Sequence, residues 1–194
     1  MDLRQRKVNT KATKKKILIV CEGERTEPSY FKSFRVLKQC EIVGSGSNTI
    51  SVVNHALKLM NQDDFLETWC VFDRDSFPKR NVKRALQLAD QNNIKVAFSN
   101  ESFELWYVLH FEYLDTKITR AAYCNKLSEL TGKKYKKNDS NFYKILLERQ
   151  KTAVTRAKTL ESRIIPAGGC TVDSYPYTTV YKLVERLNKI ALKS

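Results

Sequence analysis

Lys16-Ile17-Leu18-Ile19-Val20-Cys21 running into Glu22-Gly23, and Thr68-Trp69-Cys70-Val71-Phe72 running into Asp73-Arg74-Asp75, are the two stretches that decide the fold. A short apolar run rich in β-branched residues reads as an interior strand of a parallel sheet, buried on both faces. The C-terminal edge of such a sheet is where open α/β folds place their chemistry. If the two strands are neighbours, Glu22, Asp73 and Asp75 converge on one point. Carboxylates crowded in this way repel one another. A Mg²⁺ or Mn²⁺ ion, which prefers hard oxygen ligands, would relieve that repulsion.

Outward from these strands, apolar periodicity alternates strand and helix four times over about a hundred residues. A helix is expected from about Thr26, with Thr26 as N-cap, and a short strand at Glu41–Val43. A second helix starts at Thr49, and a third runs from about Asn81 to Gln91. A strand Ile94–Phe98 and a compact apolar helix Phe103–Phe111 complete the set. The expected class is therefore α/β, a parallel sheet with covering helices over residues 17–114. From residue 115 the pattern becomes helical and basic. Thr119–Leu130, Asn141 to about Arg163 and a final amphipathic segment through Ile190 read as helices packed on that core, forming a basic C-terminal extension over residues 115–194. Residues 1–16 read as a flexible basic arm.

Charge is unevenly divided along the 194 residues. The net +14 separates into +6 over residues 1–16, −2 over 17–114 and +10 over 115–194. Acids at the centre with basic flanks suit a polyanionic substrate gripped by its phosphates, a solvated basic surface being the alternative. Within the basic extension, Lys133, Lys134, Lys136 and Lys137 would hold phosphates and Tyr135 would stack on a base. No apolar run is long enough to span a membrane, and the basic N-terminus is not followed by an apolar signal segment, so a soluble, cytoplasmic protein is expected. Five widely spaced cysteines without a CxxC, and only two histidines, argue against zinc and against a disulfide framework. Cys21 and Cys70 read as small core hydrophobes. No GxxxxGK[ST] occurs, so ATP hydrolysis would need a separate subunit.

The blocks Val20-Cys21-Glu22-Gly23-Glu24-Arg25-Thr26-Glu27-Pro28-Ser29-Tyr30-Phe31, Val71-Phe72-Asp73-Arg74-Asp75 and Ser99 to Phe111, with its Phe103-Glu104-Leu105-Trp106 core, resemble the RloB-like family. Its members are toprim-like proteins of prokaryotic antiphage and abortive-infection loci, usually encoded beside an ABC-type ATPase. The resemblance implies a toprim-like sheet and a divalent-metal-dependent nuclease, with RNA such as tRNA favoured over DNA and the ATPase as partner. It makes Glu22 a metal ligand or proton-transfer group and Asp73 and Asp75 the principal ligands. It adds Glu27, five residues after Glu22, as a further acidic ligand, which allows two metal ions about 3.5 to 4 Å apart. This chain departs from the family where Asn100-Glu101-Ser102 replaces an expected Asn-Pro, and near Tyr175 to Val180.

The residues themselves leave some roles open. Glu27 could instead be an acid favoured by a helix N-terminus. Glu104, a carboxylate in an apolar helix, needs either a metal or an ion-pair partner such as Arg25 or Arg74. Arg25 and Arg74 could grip substrate, and Arg74 could equally neutralise the acids. His110 could move a proton or be a hydrogen-bonded structural residue. Lys79, Arg80, Lys83 and Arg84 could bind a phosphate or form a solvated face. The competing functional readings are a non-catalytic cation-binding module of an ATPase complex, and another Asp-dependent phosphotransfer fold. The latter is disfavoured because haloacid-dehalogenase-type enzymes carry Asp-x-Asp after the first strand, where this chain has Glu22-Gly23.

Overall fold

Ile17–Cys21, five residues with no room for solvent on either side, form β1, an interior strand of a five-stranded sheet. The computed structural model describes residues 15–36, 38–74, 78–137, 139, 141–164 and 172–192. Asp75 and most of the expected basic arm lie outside them. In chain order the elements are β1, α1 (Thr26–Lys32), β2 (Cys40–Gly44), α2 (Thr49–Met60), β3 (Glu67–Asp73), α3 (Lys79–Gln91), β4 (Lys95–Asn100) and α4 (Glu104–Val108). Then follow α5 (Arg120–Thr131), α6 (Phe142–Leu147), α7 (Gln150–Ile164), β5 (Tyr177–Thr178) and α8 (Val180–Ala191). The sheet order is β2-β1-β3-β4-β5, parallel except for the antiparallel β5. This is a mixed α/β fold with a mostly parallel sheet, as the two apolar runs imply.

Strand alternation sends side chains to two cores. Ile17, Ile19, Cys21, Trp69, Val71 and Ala97 pack with Phe31, Trp106, Leu127, Leu160 and Leu183, a face covered by α1, α4, α5, α7 and α8. Leu18, Val20, Cys70, Phe72 and Phe98 pack with Val52, Val53, Ala56, Val82, Ala85 and Ala89, a face covered by α2 and α3. Burial pushes the Cys21 thiol well up and the Cys70 thiol up to about 12, so both sit as neutral apolar groups.

Several local expectations change. Arg25, not Thr26, occupies the N-cap of α1 and makes no side-chain cap bond. The single helix expected from Asn141 to Arg163 is two, α6 and α7, separated at Glu148 and Arg149. No Gly or Pro marks the break. Tertiary contacts set it: the Arg149 guanidinium lies over the Phe111 ring at 5.3 Å, and buried Gln150 accepts a bond from Asn188 Nδ2 at 2.7 Å. The nine-residue apolar helix shrinks to the five of α4, continued by single-turn bonds to Phe111 and Glu112. The C-terminal part also contributes a strand. β5 pairs with β4 through Ser99 and Asn100, and Thr179 Oγ1 accepts the Phe98 N–H at 2.9 Å, so the segment beyond residue 114 completes the sheet.

Candidate active site

β1 leads to β2 on one side, while β3 lies on the other, so the chain reverses direction of growth between β1 and β3. This is the topological switch point, where a crevice opens beyond the carboxyl ends of the strands. Both sequence motifs end there. Cys21 pairs with Val71, which puts Glu22 beside the end of β3. Glu22 Oε2 accepts the Asp73 N–H at 3.0 Å, and Oε1 accepts the Thr49 hydroxyl at 3.5 Å from the first residue of α2. Glu22 is thus fixed by a strand end and a helix start.

The Asp73 carboxylate takes a different direction. Asp73 continues the alternation of Trp69 and Val71 and belongs to the α1/α4 face. It is 4 % exposed, and its Oδ2 accepts the Phe103 N–H at 2.9 Å. Loss of water, then the charges of Glu27, Glu104 and Glu22 in that order, raise its pKa well above the ordinary carboxylate value. Glu27 on α1 is raised as well, chiefly by burial and further by Glu104. The two carboxylates with alternative readings, Glu27 and Glu104, therefore act on Asp73 more strongly than Glu22 does.

Gly23 makes this possible. A Cβ there would overlap the Glu27 carboxylate, so the glycine of the Glu-Gly motif is the floor on which Glu27 lies. Gly46, at φ +60°, plays a related part, since a Cβ would run into the Glu24 side chain.

Cations enter from the C-terminal part. Lys137 Nζ lies 3.3 Å from Glu104 Oε1, and an Arg120 guanidinium nitrogen lies 3.9 Å from Asp73 Oδ2. The ion-pair partner of Glu104 is therefore Lys137 rather than Arg25, which is exposed, or Arg74. Arg74 donates its backbone N–H to Ser99 at 2.9 Å, and its buried Nε makes no hydrogen bond among the described residues. Arg120 had no sequence signal, being one basic residue at the start of a helix in a basic segment.

The basic run separates into parts. Lys133, Lys134 and Lys136 are exposed, while Lys137 turns to Glu104. Tyr135 is not an open stacking surface. Its ring packs on Phe142 at 5.2 Å and Tyr107 at 6.4 Å, within an aromatic cluster that extends to Tyr30, Phe34, Phe103 and Tyr143. His110 is structural: Nδ1–H donates to the Trp106 carbonyl at 2.9 Å, the ring packs on Trp106 at 4.7 Å, and burial pulls its pKa down to about 4. Lys79 and Lys83 pair with Asp173, leaving Arg80 and Arg84 exposed on α3.

The donor set suits a hard divalent cation: carboxylate oxygens only, from Glu22, Glu27, Asp73 and Glu104, three of them buried. The cations Arg120 and Lys137, lying on Asp73 and Glu104, offset part of the charge that such an ion would take up. Among the described residues no three His, Cys, Asp or Glu side chains already stand in a coordinating arrangement, and Asp75 is not among them.

An open, mostly parallel sheet with buried carboxylates gathered at its switch point defines an α/β protein with an acidic site at the strand ends. The chain belongs to the RloB-like protein family, whose model matches residues 17–187, from the first residue of β1 into α8. No curated protein and no solved structure matches it. No helix among the described residues is long and apolar enough to cross a membrane.

Proposed function

We propose that this protein is a divalent-metal-dependent, toprim-type nuclease that hydrolyses phosphodiester bonds in RNA, tRNA favoured, as the effector of an antiphage system with an ABC-type ATPase partner. The observation that carries the reading is the gathering of Glu22, Glu27, Asp73 and Glu104 from four separate elements at the β1/β3 switch point. Mg²⁺ or Mn²⁺ held by these residues and Asp75 would supply an activated water and neutralise charge on the reacting phosphate. Glu22 is the least buried of the four carboxylates and is oriented by Asp73 N–H and the Thr49 hydroxyl, which suits it to take a proton from the attacking water at its Oε atoms. Asp73, Glu27 and Glu104 lie in a site with little water, where the negative charge they would present to a bound ion acts most strongly. The exposed lysines 133, 134 and 136 extend the basic surface over which a polyanion would lie.

The test is incubation of the purified protein, alone and with an ATPase encoded beside it, with labelled tRNA, total RNA and plasmid in Mg²⁺ or Mn²⁺. Cutting is expected, and Glu22→Gln is expected to lower it at least about 100-fold while leaving RNA affinity within a few-fold, the scale for one proton-transfer group. A second reading, a non-catalytic cation-binding module of an ATPase complex, is favoured by Arg120 and Lys137 already lying on the acids. Formation of the ATPase complex with no cutting of any nucleic acid would select it.

A further inference from the structure

We propose that Arg120 and Lys137 are the phosphate-binding groups of this site, held in place by Asp73 and Glu104 until a substrate phosphate arrives. The inference rests on the nuclease reading for the reaction, but it concerns binding. Its geometry is that of two basic side chains reaching from the solvent side onto buried acids. The Lys137 side chain is 44 % exposed and its carboxylate partner only 3 %; the Arg120 side chain is 38 % exposed against 6 % for Asp73. Each cation therefore reaches a buried acid while its side chain keeps a substantial exposed surface. They come from two places, the first residue of α5 and the loop that follows it, and so flank the acids from the C-terminal part of the chain.

The chemistry favours phosphate over a purely structural role. A guanidinium presents a planar fork that matches a phosphate, and an ammonium is a mobile point charge on a flexible stem. A phosphodiester oxygen entering the site needs positive charge beside the acids, because otherwise its own charge meets four carboxylates. Arg120 and Lys137 are the basic side chains paired with those acids among the described residues. Lys133, Lys134 and Lys136 are exposed on the same loop and extend the basic surface, but among the described residues no acid of the site is paired with them. A divalent cation held by Asp73 and Glu104 would take up their negative charge, leaving Arg120 and Lys137 to pair with a phosphate.

The experiment uses the full chain in a Glu22→Gln background, so that bound RNA is not cut, with a labelled single-stranded 20-nucleotide RNA in Mn²⁺ followed by fluorescence anisotropy. Arg120→Ala and Lys137→Ala are each expected to weaken RNA binding at least about tenfold and to flatten the salt dependence by about 0.7 log units for a lost phosphate contact. Arg120→Lys and Lys137→Arg should recover part of the affinity, and Lys189→Ala, at an exposed lysine on α8, should stay within about threefold. Mn²⁺ titration calorimetry of the alanine variants without RNA should show affinity equal to or greater than the parent's, because a competing cation has gone. Unchanged RNA affinity in both alanine variants overturns the proposal, as does a parent that binds no RNA. Loss of Mn²⁺ binding or of the melting transition in the Lys and Arg exchanges as well as the alanine variants also overturns it, by showing that the pairs only hold the fold. If the chain with Glu22 intact cuts nothing while the RNA-affinity losses are found, the phosphate site stands and the nuclease reading falls.

Discussion

At Asp73 the fold places a carboxyl group where its charged form is disfavoured by burial and by three neighbouring acids. Its pKa in the folded protein lies above its unfolded value. Such a group contributes stability that is complete below the unfolded value and is lost as pH rises through the folded one. Glu27 acts in the same direction. His110, lowered to about 4 from an ordinary 6.5, does the reverse, and its contribution is present above 6.5 and lost as pH falls toward 4. Comparing variants separates these effects. In chelator, the melting temperature of Asp73→Asn relative to the parent should climb as pH is raised from 5 to 8, since the amide keeps a group able to accept the Phe103 N–H and never charges. Saturating Mn²⁺ should remove that advantage. A difference that is flat with pH would mean that Asp73 is not strained by its neighbours.

At the level of elements, β5 is the smallest strand and carries a large structural duty. Thr179 follows it directly. Its hydroxyl accepts the Phe98 N–H and donates to the Val96 carbonyl at 3.3 Å, and its own N–H donates to the Phe98 carbonyl at 2.8 Å. Thr179→Val keeps the shape and deletes the hydroxyl, leaving the buried Phe98 N–H without its partner. Urea unfolding should show a loss of about 1 to 3 kcal/mol; an unchanged midpoint would show that β4 holds without this clasp. β5 was not legible in the sequence, because Tyr177-Thr178 is too short for any periodicity and its pairing is decided by residues about eighty positions away. The α6/α7 break escaped for the same reason, Gln150 and Arg149 being placed by tertiary partners. By contrast β1 and β3 were plain as apolar runs. The strand-end acids followed from them, and their convergence only required that the two strands be neighbours. What the pattern did not show was the direction of each carboxylate, Glu22 toward α2 and Asp73 toward α1 and α4, because the face of a residue at the last position of a strand depends on where the strand stops.

For the whole molecule, the basic C-terminal part is joined to the acidic centre in structure as well as in charge. It supplies β5 to the sheet, α5, α7 and α8 to one core, and Arg120 and Lys137 to the acids. A chain ending at residue 114 is therefore expected to lose cooperative urea unfolding and near-ultraviolet circular dichroism, since one face of the sheet would lose most of its cover; a sharp transition in that fragment would show that residues 17–114 fold alone. The account as a whole depends on the gathered carboxylates holding a divalent cation. Calorimetric titration with Mn²⁺ of the full chain and of the Asp73→Asn, Glu27→Gln double variant tests it most directly. The account predicts a saturable isotherm with proton release for the parent, and loss of binding in a variant that still melts cooperatively. Equal Mn²⁺ affinity in the two proteins, or no binding by the parent, would contradict it.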